Sequence, residues 1–187
     1  MITGTPDPGT SHASAPGSDT DDRLLLARVL APYKPHCRYL RHASLEPGET
    51  DGRPLTGMGA FTIPEPCYID DTGHFNAVEF NICFNQLAYY TLAATIRDRV
   101  RGPFGEWTMN DYWARQLPHI LILDMHSRFR RAMRGDDFRG EVQLVDVRRK
   151  SGRSGPLLLI DTLGRFWDEH GGRCEGKVRV AVTDPPA

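Results

Sequence analysis

The stretch AVEFNICFNQLAYYTLAATI, residues 77–96, decides the fold. As a helix rising 1.5 Å per residue it spans about 30 Å, the width of a small domain. Its apolar residues fall on every side of the wheel rather than along one stripe, so this helix belongs inside something else. Asn76 and Glu79 frame its start as an N-x-x-E capping box, which sets where it begins.

Working outward, the flanking segments supply what could surround it. Residues 36–46 are strand-like, Gly/Pro-rich text at 47–54 reads as a turn, and TGMGAFTI at 56–63 reads as a strand broken by Pro64 and Pro66. After a short amphipathic helix at 108–117, capped by Thr108 or Asn110, the apolar period changes from helical to two. HILILDMHSRFR (119–130), EVQLVDV (141–147), LLLIDTLGRFW (157–167) and KVRVAV (177–182) read as strands. Val178, Val180 and Val182 alternate with Lys177 and Arg179, as on a half-buried antiparallel strand. Turns at 151–155 and 170–172 suggest that these four strands form a meander. One long buried helix with about six antiparallel strands predicts an α+β hotdog fold, a curved antiparallel sheet wrapped around one central helix.

Toward the N-terminus, Leu25, Leu26, Val29 and Leu30 recur at helical spacing, with Asp22 as N-cap and Pro32 as the stop. Seventeen of residues 1–22 are Gly, Pro, Ser, Thr or Asp, so that stretch is expected to be a disordered tail, with residues 23–187 forming the domain. The 187 residues suit one such domain. The formal charge of -1 hides a division: the tail carries four Asp and no Lys or Arg, leaving +3 on the rest. With 40% hydrophobic and 25% charged residues, the chain is neither a disordered protein nor a fibre. No apolar run nears the ~20 residues that cross a bilayer, and no signal peptide is present, so a cytoplasmic location without membrane contact is expected.

Motifs exclude several chemistries. Cys37, Cys67, Cys83 and Cys174 stand far apart with no C-x-x-C pair, and are expected to be reduced thiols. There is no zinc-ligand spacing, Walker A loop or G-x-S-x-G elbow, and the GMG at 57–59 lacks a third glycine. No metal or organic cofactor is expected.

The stretch CYIDDTGHFNAVEFNICFNQLAYY, residues 67–90, resembles the FcoT family of hotdog acyl-thioester enzymes. LLARVLAPY (25–33), CRYL (37–40), DYWARQL (111–117), SRFR (127–130) and RFWDEHGG (165–172) agree, so the resemblance spans roughly residues 23–184. It implies long-chain acyl-CoA thioesterase activity. It also implies a role in isonitrile lipopeptide biosynthesis, adding glycine to the β-carbon of an α,β-unsaturated acyl-carrier-protein thioester. It further implies pocket residues at Tyr33, Tyr68 and Asn76.

The residues carry readings of their own. Asn76 is a helix cap, and its amide could also meet a thioester oxygen at a helix mouth that already favours negative charge. His74, two residues earlier, could take a proton from an ammonium group or activate water. Glu79 is the acidic half of the capping box or a base. Tyr68 and Tyr33 are half-buried core tyrosines or hydroxyl donors to substrate. Asn81, Asn85 and Gln86 interrupt the apolar helix, either pairing across a dimer contact or lining the substrate pocket.

Nine basic residues, among them Arg128, Arg130 and Arg134, lie between 128 and 153 with four acidic ones. They form a solvated face or a dock for an acidic acyl carrier protein. No stacking platform accompanies them, which speaks against nucleic acid. Arg38 is a candidate grip for the glycine carboxylate. An open sheet edge predicts a homodimer or higher homo-oligomer. The same site would serve glycine addition or thioester hydrolysis, and a non-catalytic acyl-binding role is the remaining alternative.

Overall fold

A computed structural model describes residues 16–46, 55–100, 102–152 and 155–186. In chain order the elements are α1 (Pro16–Leu30), β1 (Leu40–Glu46), β2 (Leu55–Phe61), α2 (Ala77–Arg97), α3 (Met109–Arg115), β3 (Ile120–Arg131), β4 (Phe138–Gly152), β5 (Gly155–Trp167) and β6 (Arg173–Thr183). The strands form one antiparallel sheet in the order β1-β2-β4-β5-β6-β3.

Helix α2 lies against the inner face of that sheet, with Phe80, Phe84, Leu87 and Tyr90 wholly buried. Glycines in the strands let it approach. A Cβ on Gly176 would come within 2.5 Å of the Phe80 ring, and one on Gly164 within 3.0 Å of Phe84. Both glycines therefore face α2, and their neighbours Glu175, Lys177, Leu163 and Arg165 face outward. Gln86 is fully buried yet satisfied. Its Oε1 accepts from the N–H groups of Tyr39 (3.0 Å) and Leu40 (2.9 Å), and its Nε2 donates to the Cys37 carbonyl (2.6 Å). It pins the start of β1 to the helix, and neither faces a dimer contact nor lines a pocket.

Beneath the N-terminal mouth of α2 sits an aromatic cluster. Phe61 stacks on Phe138 at 5.2 Å between centroids, Phe80 meets Phe166 edge-on at 5.2 Å, and Phe75 meets Phe138 at 5.1 Å. Phe75 is buried, and burying such a ring contributes roughly 1.5–3 kcal/mol. Since Phe75 lies between His74 and Asn76, that anchor holds both neighbours at the surface of the domain.

Three features differ from the sequence reading. Strand β3 is not the first member of a meander. It crosses to the far edge and pairs with β6, leaving β4, β5 and β6 as the meander. Alternation along a strand reports which face is buried and is silent on which neighbour it takes. Helix α1 begins at Pro16, so residues 16–22 are helical rather than a disordered tail. Asp22 is consequently no cap but an interior helical residue, ion-paired with Arg97 at 2.7 Å. The remainder of the expected tail, the turn at 47–54, and Arg153 and Ser154 of the 151–155 turn lie outside the described residues. Among the described residues no helix is long and apolar enough to cross a membrane.

Candidate active site

The segment entering α2 is built from local hydrogen bonds. Asp71 Oδ1 accepts from the Gly73 N–H at 2.8 Å, and the Thr72 hydroxyl donates to the His74 carbonyl at 3.0 Å. Gly73 has φ +74°, a left-handed conformation that glycine adopts without a Cβ penalty. His74 Nδ1 lies 3.0 Å from the Thr72 carbonyl. A carbonyl can only accept, so that nitrogen carries a hydrogen, and in the neutral ring Nε2 is the one left with the lone pair.

Asn76 caps α2 as expected. Its Oδ1 accepts from Val78 N–H (2.9 Å) and Glu79 N–H (3.4 Å), while Glu79 Oε2 accepts from Asn76 N–H (2.9 Å). Those bonds commit the amide oxygen and leave the Nδ2 hydrogens without a partner among the described residues. Glu79 is buried, which pushes its carboxyl above the usual range, against the opposing pull of the Asn76 N–H and nearby His74.

His74 and Glu79 share a crevice of about 390 Å³ with Pro64, Asp71, Arg134 and Asp136. Arg134 comes from the β3–β4 loop, which the sequence reading treated only as part of a basic run. That loop is pinned at three successive residues. Met133 carbonyl accepts from Phe75 N–H (2.8 Å), Arg134 N–H donates to Asp168 Oδ2 (3.0 Å), and Gly135 carbonyl accepts from Ile63 N–H (2.7 Å). Asp168 also accepts from His170 N–H (2.9 Å) and Gly172 N–H (2.7 Å). Burial acts to raise the Asp168 carboxyl, but these three bonds outweigh it and hold it below the usual range.

The other predicted residues lie elsewhere. Tyr68 is 47% exposed, two residues past Pro66, and does not line the crevice. Tyr33 packs on the core; its burial, with Tyr89 and Cys83 near, pushes the phenol well above its usual range. Arg38 donates to the carbonyls of Tyr33 (3.0 Å) and Ala31 (3.1 Å), where it braces the exit of α1. Asn85 donates to Asn81 Oδ1 at 3.0 Å within the same helix and borders a narrow apolar slot between α2 and the sheet. That slot holds about 20 Å³, room for about one water, rather than an open acyl tunnel. Arg128 stands on the outer face of the sheet opposite Glu175, in a second groove with His126, Arg130 and Lys177. The crevice thus holds His74 and Glu79, with Asn76 bonded to Glu79, while Tyr33, Tyr68, Arg38 and Arg128 are not among its lining residues.

A curved antiparallel sheet around one helix, with a polar crevice at that helix's mouth, defines the class: a hotdog-fold protein with its candidate site at the start of the central helix. The FcoT-like thioesterase domain matches residues 28–182, and the chain belongs to that family. It is 45% identical over 166 residues, 88% of this chain and 99% of the relative, to the (2E)-enoyl-[ACP] glycyltransferase of Streptomyces coeruleorubidus. It is 36% identical over 180 residues, 96% of each chain, to the protein of that name from Mycobacterium marinum. Among solved structures, a candidate thioesterase from Syntrophus aciditrophicus superposes with TM-score 0.54 at 10% identity, covering 89% of this chain and 99% of that one. That likeness supports the hotdog fold.

Proposed function

We propose that the protein adds glycine to the β-carbon of a (2E)-enoyl chain held as a thioester on an acyl carrier protein, in the isonitrile lipopeptide setting that the family resemblance implies. The carrying observation is that His74 lines a crevice with Glu79, the capping partner of Asn76, at the start of α2, in a chain 45% identical to an enoyl-ACP glycyltransferase.

The chemistry balances on side chains alone, without metal or organic cofactor. His74 Nε2 takes a proton from the glycine ammonium. The amine attacks the β-carbon, forming the N–C bond. The alkene π pair shifts toward the thioester, whose oxygen gains negative charge and is held by Asn76 Nδ2–H. The imidazolium then returns its proton to the α-carbon. The base is His74 rather than Glu79 because Glu79 is engaged in the helix cap. The acyl chain follows the apolar slot beside α2, where Tyr89 and Ile122 must move aside to admit it.

The acidic carrier protein docks on the outer sheet face. There Arg128, Arg130 and Lys177 line a groove whose one acidic lining residue among the described residues is Glu175, which pairs with Arg130 at 2.6 Å. The 12-residue β3 is a sheet edge carrying exposed Leu121 and Leu123, and it is the edge on which a second copy pairs.

Hydrolysis is the second reading, favoured by the family's thioesterase description and by water being able to replace the amine in the same crevice. Mass spectrometry of an enoyl-carrier protein incubated with enzyme and glycine separates the two. The expected product is heavier by one glycine and absent with His74→Ala. Free carrier thiol without adduct establishes hydrolysis instead.

A further inference from the structure

We infer that Arg134 and the carboxylates around it form a subsite for an amino-acid zwitterion, with Arg134 binding the carboxylate of the incoming amine. This rests on the addition reading and names the residues that select its second substrate. Arg134 is the sole Arg or Lys among the residues lining the His74 crevice. Its guanidinium makes no hydrogen bond or ion pair among the described residues. Arg38, Arg97, Arg115, Arg130, Arg165 and Arg179 are all engaged by carbonyls or carboxylates.

Its main chain is held on both sides and at its own N–H, so the side chain springs from a preorganised base. A guanidinium offers a planar fork that matches a carboxylate. Asp71 and Asp136 line the same crevice with buried Glu79. Three carboxylates oppose a purely anionic ligand such as a carrier phosphodiester. They suit a ligand bearing an ammonium beside its carboxylate. Asp71 belongs to the turn that carries His74, so the ammonium is drawn to the side where Nε2 accepts its proton.

The test compares wild type, Arg134→Met and Arg134→Lys with glycine and with glycinamide, which lacks the carboxylate, on an enoyl-carrier protein. Loss of a charge-assisted contact should raise the glycine KM roughly ten- to hundredfold. The enoyl-carrier KM should stay unchanged, the preference for glycine over glycinamide should collapse, and Arg134→Lys should restore part of it. An unchanged glycine KM, equal losses on both amines, or a raised enoyl-carrier KM overturns the assignment.

Glycine binding is also read without turnover, as the rise in Tm with added glycine. Wild type should shift and Arg134→Met should not. A shift in wild type that Arg134→Met loses, without adduct, sustains the subsite and removes the addition reading; equal shifts without adduct overturn both. Adduct formation with equal shifts in both proteins removes the subsite alone. No shift in wild type and no adduct overturns both.

Discussion

In the proposed reaction Asn76 does two jobs with two different atoms, and a single substitution can separate them. Its Oδ1 caps α2 through Val78 and Glu79, and its Nδ2 hydrogens face the thioester oxygen in the proposed reaction. Asn76→Asp keeps an acceptor at Oδ1 and deletes the donor; Asn76→Ala deletes both. The cap is worth about 1 kcal/mol, which for a chain of this size lowers Tm by roughly 2–4 °C in the alanine variant. The aspartate variant gains about 0.3–1 kcal/mol at the helix N-terminus. It loses a comparable amount against the Glu79 carboxylate three residues on, so its Tm should stay within about 1 °C of wild type. Catalysis follows the other atom. Removing one donor to a developing oxyanion costs about 10²–10³ in kcat, roughly 2.7–4 kcal/mol, and should do so in both variants. The assay is glycine-adduct formation under saturating substrate beside a thermal melt, each at the variant's own pH optimum. An aspartate variant with kcat within about threefold of wild type would falsify the oxyanion role. One as unstable as the alanine variant would refute the division of labour between the atoms.

Other expectations follow from the packing. Gln86→Leu strands two N–H groups and a carbonyl in the interior and should cost about 3 kcal/mol or more in urea denaturation. Gly176→Ala drives a methyl into the Phe80 ring and should cost about 1–3 kcal/mol, with Phe80→Leu in the same chain recovering part of it. Asp168 has its folded pKa held below the unfolded value, so its stabilising contribution is complete above about pH 4 and fades as pH falls through the folded value. The Tm gap between wild type and Asp168→Asn should therefore be constant at neutral pH and close in acid; a gap that persists in acid contradicts the three-bond clamp.

Much of the local structure is legible in residue order. The capping box at Asn76 and Glu79 forms as the N-x-x-E spacing predicts, because both of its bonds lie within four residues. Val178, Val180 and Val182 are buried as their alternation requires. The start of α1 is illegible because tertiary contacts support it: Leu25, Leu26, Val29 and Leu30 enter the core, and Asp22 pairs with Arg97 of α2, 75 positions on. Composition in a window has no access to such partners. Arginines are the extreme case. Arg38 and Arg134 look alike in sequence, yet one is spent on the carbonyls of Ala31 and Tyr33, and the other lines the His74 crevice with its guanidinium unpaired among the described residues.

By itself the sequence determined most of the elements and the capping box at the mouth of the central helix. Periodicity, caps and the turn before Asn76 act over a few residues, where chain geometry leaves little freedom. The place of β3 at the sheet edge, the burial that raises Glu79, and the meeting of the β3–β4 loop with His74 were decided only in three dimensions. Each joins segments tens of residues apart, and the energy that selects them is the burial of shared surface, which no single segment possesses.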